Sequence, residues 1–121
     1  MNIAEKFIYL GRVSAEEKIN LLRSSLLYIQ PTLAEGFGMA ILEAQSCGTP
    51  VITTFKPCIN EIFSNTVVQA IDIFDLSLKI ELLSNSRILY DKYVKLGIEN
   101  SFKYSFEKRR ANIKLLVESL N

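Results

Sequence analysis

Apolar residues along the chain follow two alternating rhythms, short continuous runs and runs that return every three to four residues. "KFIYL" (Lys6–Leu10), "LLYIQP" (Leu26–Pro31), "VITT" (Val51–Thr54) and "TVVQA" (Thr66–Ala70) are of the first kind and predict strands, the second ended by a proline that cannot donate to a ladder. After Gly11, Ala15, Ile19 and Leu22 recur at i, i+4 and i+7. They predict a helix to about Ser24, with Ser14 and Glu17 at capping-box spacing. "GMAILEAQSCG" (Gly38–Gly48) predicts a second helix, stopped by Gly48 and sealed by Pro50. "KPCINEIF" reads as a loop entering a short helical turn. Three closing helices are marked by Leu76, Ile80 and Leu83, by Leu89, Tyr93 and Leu96, and by Phe106, Ile113, Val117 and Leu120. Ser86 and Ser105 are their candidate N-caps.

Strands alternating with helices at this spacing predict an α/β fold. It has a parallel sheet of about four strands with helices on both faces, in one domain over residues 1–121. Such sheets bind ligands at the carboxyl ends of their strands. That rule selects "TLAEGFG" (Thr32–Gly38), which joins the second strand to the second helix. Gly36 and Gly38 allow close backbone approach there, and the helix N-terminus behind them is suited to a phosphate.

Glu43 interrupts the otherwise apolar run from Met39 to Ala44. On a helix Gln45 is rotated about 200° from it, so the two share no polar stripe. Two roles fit. Glu43 is a solvated or first-turn acid complementing the helix dipole, or it is a half-buried acceptor whose two oxygens take the vicinal hydroxyls of a ribose.

Composition removes several classes of function. With 14 Lys and Arg against 13 Asp and Glu, the formal net charge is +1, which gives no footprint for nucleic acid. There is no histidine, and Cys47 and Cys58 lack CxxC spacing, so zinc and a His-based triad are not expected. The start of the chain has no signal-peptide pattern, and no apolar run reaches the ~18–20 residues of a membrane span. A cytoplasmic, reducing setting is therefore expected, and it suits two unpaired cysteines.

"PTLAEGFGMAILEAQSCGTPVI" (Pro31–Ile52) resembles the donor-binding signature of the retaining GT-B glycosyltransferases of family 4, the glycosyl transferases group 1 domain. That signature is a strand, Pro-Ser, Glu-Gly-Phe-Gly, a Glu-x7-Glu spacing and a Gly-x-Pro-Val ending; Thr32 replaces the usual serine here. "FIYLGRVSAEEKINLLRSSLLYI" is similar to the family's preceding strand, Gly-x-Val turn and helix, and "KYSFEKRRANI" to its closing helix.

The resemblance implies a Rossmann-like C-terminal donor domain and a nucleoside-diphosphate sugar as donor substrate, with no metal and no separate cofactor. Glu43 would hold the ribose hydroxyls. Glu35 would be the catalytic-site carboxylate beside the transferred sugar. The amides of Gly36, Phe37, Gly38, Met39 and Ala40 would hold sugar hydroxyls and the distal phosphate. Arg12 and Val13 would lie against the base, although Arg12 also reads as an ordinary surface cation. Cys47 reads as core.

Some features depart from the family. Its Arg and Lys pair for the diphosphate, and its acceptor-binding half, would lie before Met1, so the chain is expected to be an N-terminally truncated, incomplete enzyme. Peripheral membrane association of the full enzyme remains compatible with the resemblance. The family's Gly-Gly loop is replaced by "FKPCINE", where Glu61 alone matches and Pro57, Cys58 and Ile59 add side chains. The alternative from another class is a non-catalytic module that binds a nucleotide sugar or a protein. In the family's strand order 3-2-1-4-5-6 the four strands would be 3, 4, 5 and 6. With strands 1 and 2 missing, "KFIYL" is expected to close directly against "LLYIQP".

Overall fold

The computed structural model describes residues 6–31, 39–54, 63, 65–104, 114 and 117–120. In chain order these form α1 (Ala15–Ser24), β1 (Tyr28–Gln30), α2 (Met39–Ser46), β2 (Val51–Thr54), β3 (Val68–Ala70), α3 (Ile73–Asn85) and α4 (Arg87–Lys103). The strands make one parallel sheet in the order β1-β2-β3, with Tyr28 opposite Val51 and Ile52 opposite Val68. Residues 117–119 are helical, whereas Ser105, Phe106 and Ile113 of the expected last helix lie outside the described residues.

Local signals set the helix ends. Ser14 caps α1: its Oγ accepts the Glu17 N–H at 3.1 Å and also lies 3.1 Å from Glu17 Oε1, an N-cap of the kind that contributes about 1 kcal/mol. At the far end of α2, Gly48 has φ +77°. The Gly48 N–H donates to the Gln45 carbonyl and the Thr49 N–H to the Ala44 carbonyl, both at 3.0 Å. This is a Schellman closure, and its left-handed residue is the glycine that reads as the stop signal. Asp72 caps α3 by accepting the Asp75 N–H at 2.8 Å. Ser86 ends α3 by donating its N–H to the Leu82 carbonyl, and starts α4 by accepting the Leu89 N–H.

The sheet is buried on both faces because consecutive residues point to opposite sides. Val51 joins Leu22, Ile41, Leu42, Ala44, Phe63 and Val67 on the α1–α2 side. Ile52, the next residue, joins Val68, Ala70 and Leu83 on the α3 side, with Leu76, Ile80, Leu89 and Tyr93 packed around them. Full burial of side chains such as Ile41 and Ile52 contributes about 1.5–3 kcal/mol each. Helix α4 serves both layers. Leu89 and Tyr93 pack on the α3 side, while further along Gly97 and Asn100 meet Gln45 of α2.

One expected strand does not form. Lys6–Leu10 lies outside the sheet, and Phe7, Ile8, Tyr9 and Leu10 expose between 54% and 96% of their surface. The expected closure of this segment against β1 is thus corrected, and the described sheet has three strands rather than four. An apolar run becomes a parallel strand only where a neighbour takes its backbone bonds and layers cover both faces. Here α1 is fastened to α2 instead, and the left-handed turn at Gly11 (φ +64°) enters α1 with the run still in solvent. The observed β1-β2-β3 order is the expected 4-5-6 part of the sheet.

Candidate functional site

Helix α2 returns from the carboxyl end of β1 to the start of β2, so its N-terminus stands at the carboxyl edge of the sheet. Helix α1 runs beside it in the same direction. Lys18 meets Glu43 about one turn into both helices, and the Thr49 hydroxyl donates to the Leu22 carbonyl near their ends. The turn from Gly11 to Ser14, which feeds α1, therefore belongs to the same edge as the start of α2. Two helix N-termini, each the positive end of a dipole, face that edge together.

Glu43 is the fifth residue of α2, outside its first turn. It is neither a first-turn acid nor a fully solvated one, since its side chain keeps 35% of its exposure. Ile41, Leu42 and Ala44 around it are buried. Glu43 Oε2 is shielded from solvent, with no hydrogen bond of good geometry among the described residues. The Lys18 ammonium lies 2.7 Å from it and compensates the charge. A half-buried carboxylate of this kind accepts hydrogen bonds from hydroxyl groups.

Of the other predicted site residues, Met39 begins α2 and is partly exposed, and Ala40 is half-buried beside it. Arg12 is exposed and Val13 half-buried in the turn before α1. Glu35, Gly36, Phe37 and Gly38 lie outside the described residues, as does Glu61. Cys47 packs against the α1–α2 core, where it was expected.

Two residues were missed in the sequence. Lys18 follows two glutamates on an exposed stretch of α1, and nothing local signals a partner 25 positions later. Gln45 is 1% exposed. Its Nε2 donates to the Thr66 carbonyl (3.2 Å) and Oγ1 (3.1 Å), and its Oε1 accepts from Asn100 Nδ2 at 3.0 Å. This network braces α2 from behind and fixes the azimuth at which Glu43 is presented. Its only sequence signal is an amide within an apolar helix, off the Glu43 stripe.

Two concavities lie elsewhere. A shallow groove of about 540 Å³ follows α3 past Asp75, Leu78, Lys79 and Leu82. A smaller one of about 200 Å³ lies between Leu26, Leu83 and Tyr90. Neither includes Glu43. Among the described residues no helix is long and apolar enough to cross a membrane.

Residues 1–100 match the family described as glycosyl transferases group 1. The chain belongs to this family. The group 1 match runs through β1–β3 and most of α4 and contains both Lys18 and Glu43. Over 93% of its length the chain is 31% identical to an uncharacterized glycosyltransferase of Methanocaldococcus jannaschii, covering 33% of that protein. Over 98% of its length it is 26% identical to the phosphatidyl-myo-inositol mannosyltransferase of Mycobacterium leprae, again covering 33%. A stretch of 43% of the chain is 36% identical to the D-inositol 3-phosphate glycosyltransferase of Mycolicibacterium smegmatis, covering 12% of it. The chain thus spans about a third of the length of the Methanocaldococcus jannaschii and Mycobacterium leprae relatives.

Proposed function

We propose that the chain is the donor-binding part of a retaining GT-B glycosyltransferase of family 4. It would act in the cytoplasm on a nucleoside-diphosphate sugar, in glycan, polysaccharide or glycolipid biosynthesis. The observation that carries this reading is Glu43, a half-buried carboxylate one turn into α2, whose start stands at the carboxyl edge of a parallel sheet, in a chain of the group 1 family. A relative named as a mannosyltransferase supports a hexosyl donor.

Glycosyl transfer breaks the bond between the anomeric carbon and the distal phosphate oxygen, and negative charge grows on the departing diphosphate. Donors already fixed in place stabilise that charge without reorganising. The start of α2 is oriented for this role, with the amides of Gly36 through Ala40 on the diphosphate and sugar hydroxyls. Glu43 takes the ribose hydroxyls, Arg12 and Val13 lie along the base, and Glu35 attends the sugar at its anomeric side. An acceptor-binding half and a cationic pair on the diphosphate complete the enzyme, so the 121-residue chain by itself transfers no sugar.

A saturation-transfer NMR screen of nucleoside diphosphates and their sugars tests this reading. Binding no tighter than about 100 μM is expected, because each missing charge-assisted contact is worth about 1.5–3 kcal/mol. Glu43→Gln should weaken it further. Sub-micromolar affinity, or affinity indifferent to Glu43→Gln, would overturn the reading.

A further inference from the structure

We infer that Lys18 is a positioning residue for Glu43. It holds Oε2 from the neighbouring helix and leaves Oε1 to the ligand, so that one carboxylate oxygen accepts both ribose hydroxyls. The inference rests on the donor-site reading above and adds a second helix to it. Lys18 Nζ lies 2.7 Å from Oε2, and Oε2 is shielded from solvent. The side chain nevertheless keeps 35% of its exposure, which must fall on its other atoms. Oε2 is thus committed to α1, and Oε1 is the oxygen left for the ligand. A single carboxylate oxygen has two lone-pair sites, enough for two vicinal hydroxyls.

The pair does little for stability as such. Both side chains are partly exposed, at 48% and 35%, and pairs in such settings contribute little to folding. What the ammonium supplies is orientation, because a free glutamate side chain samples several rotamers. Helix α1 is itself held to α2 by the Thr49 hydroxyl on the Leu22 carbonyl, which fixes the point from which Lys18 reaches. Glu17, the nearest acid in sequence, is engaged at the α1 cap with Ser14 and does not compete for the ammonium.

The test titrates the full chain, by NMR, with a ribonucleoside diphosphate found to bind in the screen and with its 2′,3′-dideoxy analogue. The proteins are the wild type, Lys18→Gln, Lys18→Arg, Glu43→Gln and the Lys18→Gln/Glu43→Gln double variant. Lys18→Met, which keeps the aliphatic stem, replaces Lys18→Gln if the latter lowers the thermal midpoint. Lys18→Gln should weaken ribonucleotide binding about two- to fivefold, Lys18→Arg should restore it to within twofold, and the double variant should bind no worse than Glu43→Gln alone. None of the variants should alter binding of the dideoxy analogue. Unchanged ribonucleotide affinity in Lys18→Gln, with Glu43→Gln still weakened, would overturn the role of Lys18 and leave the donor site standing. Equal weakening for both probes would also overturn it, since Lys18 would then act on the nucleotide directly. Absence of nucleotide binding by the wild type, or indifference to Glu43→Gln, would bring down the donor-site reading and this inference with it.

Discussion

Lys18 Nζ and Glu43 Oε2, 2.7 Å apart, join α1 and α2, two parallel neighbouring helices whose starts stand at the carboxyl edge of the sheet. Their separation depends on how α1 is seated along α2. The buried hydrogen bond from Thr49 Oγ1 to the Leu22 carbonyl fixes that seating at the opposite ends of the helices.

Thr49→Val is isosteric but cannot donate, and it leaves the Leu22 carbonyl without that bond. The carbonyl keeps the Ser25 N–H, so a loss of about 0.5–1.5 kcal/mol is expected. A chain of this size responds with a fall in thermal midpoint of roughly 3–6 °C per kcal/mol. A calorimetric midpoint within 1 °C of wild type would show that the two helices are not held together there.

The Gln45–Asn100 bond makes a second prediction. Gln45→Leu strands Asn100 Nδ2 and removes the amide that donates to Thr66, whose hydroxyl still donates to the Phe63 carbonyl; an unsatisfied buried polar group costs about 1–3 kcal/mol. Adding Asn100→Leu should recover part of the loss, because both partners are then apolar. Denaturant melts of the single and double variants measure the coupling. Strict additivity would mean that the amides act independently.

Much of this framework is legible locally. Ser14, Gly48 and Ser86 mark helix ends by side-chain and backbone chemistry that needs no tertiary context, and the structure uses each as such. Val51–Thr54 is bounded by Pro50 and buried on both faces, so its apolar character survives as a strand. Lys6–Leu10 is a run at least as apolar but is exposed, because strand formation requires a neighbour, which composition does not encode. The Lys18–Glu43 pair is equally invisible, since it depends on the relative azimuth of two helices set by Leu22, Thr49 and Gln45. The position of Glu43 could be read from its apolar neighbours, but its partner could not.

Hydrogen–deuterium exchange separates those two cases. Amides of Phe7 to Leu10 should exchange at nearly unprotected rates, while those of Ile52 and Thr53 in the central strand should be among the slowest. Slow exchange at Phe7 to Leu10 in a monomeric sample would show that the segment has a strand partner after all.

Acid should act through Asp75. Its carboxylate accepts the Ile71 N–H at 2.8 Å. That bond, and then Lys79 at 3.3 Å, hold its pKa below the ordinary 3.8, with desolvation opposing them. A depressed carboxylate contributes stability that is present above its unfolded pKa and is lost as pH falls through the folded one. Asp75→Asn should therefore lower the midpoint at pH 6 and lower it less at a pH well below 3.8. An equal effect at both pH values would assign the loss to packing rather than charge.

The most direct test of the donor site is a two-dimensional ¹⁵N–¹H NMR titration of the chain with nucleoside diphosphates. The predicted result is a set of shifts concentrated on the amides of Gly11–Lys18 and Met39–Glu43, saturating at high micromolar to millimolar ligand and weakened by Glu43→Gln. Shifts confined to the α3 groove around Asp75–Ser86, or no shifts with any nucleotide, would contradict it.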